Sequence, residues 1–454
     1  MIRLCTENKP NIIEKIRQGE IDRASLTATS LVEDIIFEMY KQGILNCLSR
    51  GLPDKRAKNA YIPMNVIWTM AIAAKMKVQT SLTDIPFSYN DIRVLKAIKA
   101  NLVSDDENIK ECLLSEGTIR FLLNKYKESD FINGYNKTVQ DFIFPKMKVE
   151  PDIHILDCTK IEVNLNNVNY EGSEVGLNKE GNAARGYKLS TLRGLSHDSG
   201  FIEEIRFGSI KTHDLTLSEE MIRKSKVLKP GDILINDRGF ISKELVRYLK
   251  LEKNIDIYVP LKKNMTAYQT AVMYAKVNNQ WESHPKRKGQ KIMLVPSLKD
   301  VWDGKTEINA CVIWEKETEW YSVLITTDLT KTAKEIVMTY ELRPEIEEDY
   351  RQLKDFWKLE DFKSTKLNVI LFHIVSVLFG YLFFQLYTIL PNGEQYFGKS
   401  FPVLLKGYQP KAQGYIAIYQ GGEFGIFTLV EVMNLYAETN EIVRKKLNEV
   451  FKLL

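Results

Sequence analysis

Cysteine is sparse and scattered in this chain of 454 residues: Cys5, Cys47, Cys112, Cys158 and Cys311 lie far apart, and no two form a C-x-x-C pair. That excludes a zinc knuckle and a disulfide framework, and makes a reducing cytoplasm the expected compartment. A dominant charge is missing too, because a net charge of +4 is too small to identify a nucleic-acid partner; clustering of Lys and Arg counts for more than their total. The first ten residues lack the apolar stretch and small-residue cleavage site of a signal peptide, so export is not expected. Internal repeats and low-complexity tracts are absent. Long hydrophobic runs are absent but for one, residues 367–390. On length alone it would cross a bilayer. Asn368, His373, Ser376 and Gln385 interrupt it, however, and no second span accompanies it. A helix apolar on every side also serves as the core helix of a large soluble domain, and burial with no membrane partner is the expectation.

What is present falls into segments of different period. Residues 1–148 read as a helical N-terminal domain, with apolar positions at helical spacing over 21–48, 66–76, 92–100 and 118–127. Its short basic groups, Lys55, Arg56 and Lys58, and Lys125 and Lys127, suit DNA phosphates and equally suit a solvated helix face. From residue 149 to 390 the pattern predicts an α/β domain. Strands are expected at 153–161, 187–192, 202–207, 233–236 and 255–260, with helices near 218–226 and 242–251, hence a mixed sheet flanked by helices. Residues 262–330 read as a β-rich insertion within it, clearest in a hairpin of 307–314 and 319–326. The segment 391–454 holds a strand-like stretch, 415–427, and an amphipathic helix carrying Val432, Leu435, Ile442, Leu447 and Phe451. That helix suits a partner interface or packing on its own domain.

Three carboxylates are candidates for chemistry. At about 100° per residue, Tyr340, Arg343, Glu347, Arg351, Lys354 and Lys358 share one stripe of a predicted helix, beside an apolar stripe of Ile346, Tyr350, Leu353 and Trp357. A surface helix laced by ion pairs has the same spacing. Asp157 interrupts an apolar strand with a charge, and Asp237 ends another, followed by Arg238 and Gly239. A buried carboxylate needs a metal, a cation or several donors, whereas a strand-end turn residue needs none. Taken together, two strand-end aspartates and a helix glutamate make an all-oxygen donor set, which selects Mg²⁺ or Mn²⁺ over zinc.

Tyr340, Arg343, Glu347 and Lys354 match a Y-x2-R-x3-E-x6-K signature at every position, and Asp157-Cys-Thr159 and Asp237-Arg-Gly-Phe240 precede it in order. In these residues the chain resembles the DDE transposases of bacterial insertion sequences. The resemblance implies a ribonuclease-H-like catalytic domain with two Mg²⁺ ions, replaceable by Mn²⁺, held by Asp157, Asp237 and Glu347, with Thr159 as a supporting residue. Tyr340, Arg343 and Lys354 would then contact the transposon end. It also implies cleavage of double-stranded DNA at terminal inverted repeats, strand transfer into target DNA, a homodimer in the synaptic complex, and a bacterial, nucleoid-associated protein. A catalytically inactive DNA-binding repressor or inhibitor of transposon origin is the alternative. In relatives that form a DNA hairpin, an aromatic residue of the insertion stacks on an extruded base. Trp302, Trp314 and Trp320 lie in that region, and Trp320 is taken as the DNA-contacting one. Lys286, Arg287 and Lys288 form a basic loop suited to phosphate. Pro344 departs from the family pattern and puts the start of the Glu347 helix in doubt.

Overall fold

The computed structural model describes residues 2–52, 54–56, 63–87, 94, 100–104, 116–407 and 411–452. It divides into two compact units, Met1–Thr138 with Leu353–Leu454, and Val139–Gln352. Strands are numbered along the chain. β1 (Ile2–Glu7), β2 (Arg23–Thr29) and β3 (Ala100–Ser104) come from the N-terminal segment. The second unit holds β4 (Ile153–Val163), β5 (Glu174–Leu177), β6 (Ala183–Ser196), β7 (Ser199–Ser209), β8 (Ile233–Asn236) and β9 (Asp256–Pro260). Its later part adds β10 (Glu282–Ser283), β11 (Gln290–Val295), β12 (Asn309–Glu315) and β13 (Trp320–Thr326). β14 (Lys411–Gln420) and β15 (Glu423–Thr428) follow near the C-terminus.

In the first unit the two chain ends build one sheet, in the order β2-β14-β15-β1-β3. The N-terminal segment is therefore mixed, which corrects the expectation of a wholly helical one. Residues 23–29 include the β-branched Thr27 and Thr29, which favour a strand over a helix, and their partner strand β14 lies almost 400 residues away, beyond the reach of any local period. The helical expectation for 92–100 falls almost wholly outside the described residues. Ile12, Ile16, Ile416, Ile418, Phe427, Val432 and Leu447 form one core, so most of the C-terminal amphipathic face packs on its own unit and Ile442 stays exposed.

The long apolar run is the helix Leu367–Thr388, with 89% of its most apolar window buried. It packs on the Met64–Met76 and Glu128–Lys137 helices, with Trp68 against Phe372 at 4.7 Å and Tyr135 against Phe379 at 4.8 Å between ring centroids. Gly380 lets this helix approach closely, since a Cβ there would meet Met76 Cγ and Trp357 Cζ3 at 3.0 Å.

The second unit is a mixed ten-stranded sheet, ordered β10-β11-β12-β13-β9-β8-β4-β6-β5 with β7 also on β6. β4, β8 and β9 are parallel to one another, and β6 runs antiparallel to β4 along its whole length. The predicted insertion does not fold as a separate body: β13 pairs with β9, Leu324 opposite Pro260, so it extends the sheet. It also contains the helix Thr266–Asn278, which periodicity missed because its buried stripe is Ala267, Ala271 and Ala275 rather than large apolar residues.

The expected continuous helix through Glu347 is two helices. Ala333–Tyr340 opens on a capping box of Thr332 and Glu335, and a second helix runs Pro344–Asp355. Proline lacks the N–H and crowds the carbonyl four residues back, so the first helix ends at Tyr340 and Pro344 starts the next, where its missing donor does no harm. Tyr340 and Glu347 thus leave the single stripe, and Lys358 lies beyond the second helix at φ +56°.

Candidate active site

β8 and β9 run parallel to the first half of β4, and β4 continues past them to Val163 along β6. Register places Leu156 beside Asn236, so Asp157 and Asp237 follow as neighbours where that pairing stops. Asp237 precedes a short 3-10 turn, Arg238–Phe240, whose Phe240 N–H donates to the Asp237 carbonyl at 3.0 Å. Strand alternation puts Asp157 on the face of Thr191 and Arg193 of β6. The Pro344–Asp355 helix covers that face: Tyr350 donates to the Asp157 carbonyl oxygen at 2.8 Å, and Ile346 is fully buried.

Arg343 sits between the acids. Its Nη2 donates to Asp157 Oδ2 at 3.2 Å and its Nη1 to Glu347 Oε1 at 2.6 Å. Burial pushes the Asp157 carboxyl up to about 6; the Arg343 charge and the Cys158 N–H oppose this, and the nearby Asp237 and Glu347 charges reinforce it. Burial first, and then the same three acids against Arg343, hold the Tyr340 phenol protonated well above its ordinary range. Asp157, Asp237, Glu347, Tyr340 and Arg343 therefore share one electrostatic site. Glu347, 50% exposed, is its open side.

Among the described residues no three His, Cys, Asp or Glu side chains are grouped tightly enough to enclose a metal ion. The donor chemistry nonetheless fits a hard cation: it is oxygen only, Asp157 is desolvated beside two further acids, and a guanidinium already bridges two of the three.

The remaining candidates divide. Trp302 is core, 1% exposed, and Trp314 packs with Trp281 and Tyr321. Trp320 is 45% exposed, with Lys263 Nζ 5.7 Å from its ring centroid. Arg287 is paired with Glu341 at 2.6 Å, which ties the basic loop to the joint between the two helices. His284 Nδ1 shapes that loop by accepting the N–H groups of Lys286 and Arg287, each at 3.1 Å, while Lys286 and Lys288 face solvent. Lys354 pairs with Glu360 at 2.9 Å within the first unit. Lys55 is bonded to Asp130, and Arg56 to Asp54; Lys58 lies outside the described residues. Thr159 is buried on β4.

Three further residues bear on this region. Arg238, within the Asp237-Arg-Gly-Phe240 run, is exposed, and Lys263, which no motif singled out, is exposed three residues past the end of β9. Asp214 follows His213, whose side chain caps the helix Asp214–Lys224. Its carboxyl lies 3.6 Å from where a Cβ on Gly239 would stand and pairs with Lys188 at 2.6 Å. No sequence signal would have found it.

An aspartate within β4, which corrects its expected place at a strand end, a second just past β8 and a covering glutamate, with an arginine joining the first to the third, form an acidic centre on a mixed α/β sheet. Residues 150–383, just over half the chain, match the family described as Transposase DDE domain, and the chain belongs to that family. Membership makes the protein a transposase in general terms, with DNA as partner and a divalent metal as the usual cofactor of such domains. No curated protein matches the chain.

Proposed function

We propose that the protein is a cut-and-paste transposase of the Y-R-E-K group with a ribonuclease-H-like catalytic core. It cleaves the ends of an insertion sequence and joins the freed 3′-hydroxyl to target DNA. The observation that carries this reading is the convergence of Asp157, Asp237 and Glu347 on one electrostatic site with Arg343 between them. These acids would hold two Mg²⁺ ions, for which Mn²⁺ substitutes. When bound, the metal supplies Lewis acidity at the scissile phosphate.

The chain's own residues do the rest. Arg343 has a planar fork of donors suited to two phosphate oxygens, so on DNA binding its partners change from carboxylates to the phosphodiester. The Tyr340 phenol, kept protonated, donates a hydrogen bond to that phosphate without adding negative charge. Arg238, next to Asp237, adds an exposed cation, and Lys263 lies beside Trp320, whose exposed ring offers a stacking face for a base. Lys286 and Lys288 reach the flanking backbone, and Arg287 steadies their loop. Two ends must be held together for transfer, so the active assembly is a dimer on DNA.

The test is Mg²⁺-dependent cleavage of a duplex carrying the inverted repeat that flanks the gene. Glu347→Gln is expected to lower the single-turnover rate by about 10²-fold or more while binding of the same duplex persists. Unchanged cleavage would refute the assignment, and a wild-type protein that binds the repeat without cutting it would favour the inactive repressor.

A further inference from the structure

We propose that Tyr350 and Arg193 are positioning residues that hold Glu347 in register with Asp157, acting through the helix and not on the substrate. The inference rests on the acid-site reading above. Glu347 is half exposed, and it is bonded to Arg343, the group expected to leave it for phosphate. Something else must fix its distance from Asp157.

Two buried polar ties bracket Glu347 on its helix. The first is a hydroxyl relay. Thr191, fully buried, lies opposite Asp157 in the β4–β6 pairing, and its Oγ1 is 2.6 Å from the Tyr350 hydroxyl. Since Tyr350 has one proton and gives it to the Asp157 carbonyl oxygen, Thr191 donates and Tyr350 accepts. The residue three places after Glu347 is thereby bonded to the backbone of the aspartate itself. The second tie is ionic. Arg193, next on the same face of β6, donates through Nε to Asp349 Oδ2 at 2.6 Å and pairs through Nη1 with Glu345 at 2.9 Å. Asp349 is 5% exposed and Arg193 6%. Gly200 on β7 leaves room for the guanidinium, because a Cβ there would collide with Arg193 Cζ and Nη2.

The apolar stripe beneath the helix cannot set register this finely. Burial of Ile346 against the sheet is non-directional and tolerates small slides, whereas hydrogen bonds weaken steeply with distance and angle. A buried Arg–Asp pair adds little net stability over an apolar substitute. What it does add is one allowed placement of the helix.

The experiment measures Mn²⁺ binding to the full-length chain from the free-ion electron paramagnetic resonance signal, so no DNA is required. Tyr350→Phe and Thr191→Val each remove one hydroxyl and keep the shape. Each is expected to weaken Mn²⁺ binding about tenfold, the equivalent of about 1.4 kcal/mol, near the upper range for one hydrogen bond. The double variant should be no weaker than either single one, because the two hydroxyls act as one relay. Ile346→Val, which loosens the same helix without touching the relay, should leave the affinity within about twofold. Wild-type affinity in both hydroxyl variants, additive losses in the double variant, or an equal loss in Ile346→Val would each overturn the proposal. Asp157→Asn separates the two levels: if it binds Mn²⁺ like the wild type, the acid-site reading itself is wrong; if it does not, and both hydroxyl variants bind normally, only the positioning role fails.

Discussion

Replacing Arg343 with Gln removes the one cation that bridges two of the three acids, and the structure sets the size of the effect. The Asp157 contact is between side chains only 14% and 17% exposed, so losing a hydrogen bond to that charge should cost about 1.5–3 kcal/mol. The Glu347 contact is half open to water and adds about 0.5 kcal/mol or less. At pH 8 the variant should therefore be about 2–3.5 kcal/mol less stable. The pH dependence carries the sharper test. Asp157 has a folded value near 6, raised by burial above its ordinary 3.8. Its favourable contribution is present below the unfolded value and is lost as pH rises through the folded one. Without Arg343 the folded value climbs further, so the loss continues to higher pH in the variant after it has levelled off in the wild type. The stability difference should be small near pH 4, grow above pH 6 and be largest near pH 8. Urea unfolding of the full chain, followed by tryptophan emission, would report it, since Trp281, Trp302, Trp314 and Trp320 all lie in the second unit. A difference below about 0.5 kcal/mol at pH 8, or one constant from pH 5 to 8, would refute the reasoning.

Other outcomes follow from the same contacts. Pro344→Ala should change stability by only about 1 kcal/mol, because proline at a first helical position forfeits no hydrogen bond. It should slow cleavage by letting the Tyr340 and Glu347 helices merge; an unchanged rate would show that the break is incidental. Trp302→Ala should cost about 3–5 kcal/mol in denaturant unfolding. Trp320→Ala should cost under about 0.5 kcal/mol yet weaken binding of single-stranded or hairpin-ended DNA by about 1–3 kcal/mol; the reverse ranking would undo both assignments. His373, 2% exposed, has its imidazole lowered to about 3, first by burial and then by the Lys75 charge, while Lys358 O accepts from Nε2 at 2.9 Å. Its contribution is present above pH 6.5 and lost as pH falls toward 3, by about 1.4 kcal/mol per unit. His373→Gln should flatten the acid limb of the stability curve in calorimetry.

Much of the site was legible in the order of residues. Asp157 and Asp237 each end an apolar strand run, and β4, β8 and β9 lie where alternation and turn residues predict them. Glu347 stands at the right phase to an apolar stripe, and Ile346 and Tyr350 are buried as that stripe requires. The helix break was signalled by Pro344 but read only as a doubt, since a proline inside a periodic run marks a boundary without saying on which side the helix survives. Helical period alone mistook residues 23–29, and the alanine stripe at 267, 271 and 275 was invisible to a search for large apolar residues.

The residues alone determined which groups are available: three acids, a Y-R-E-K spacing, an oxygen-only donor set and one apolar run long enough for a core helix. Those are properties of type and short-range order, which a linear chain displays directly. The fold decided which of them meet. Parallel pairing made Asp157 and Asp237 neighbours, and folding brought Asp214 against Gly239 and left Trp320 exposed while burying Trp302. It also joined Tyr350 and Asp349 of the covering helix to β4 and β6 across more than 150 residues. Such contacts depend on strand register and helix placement, which arise only when distant segments bury surface together.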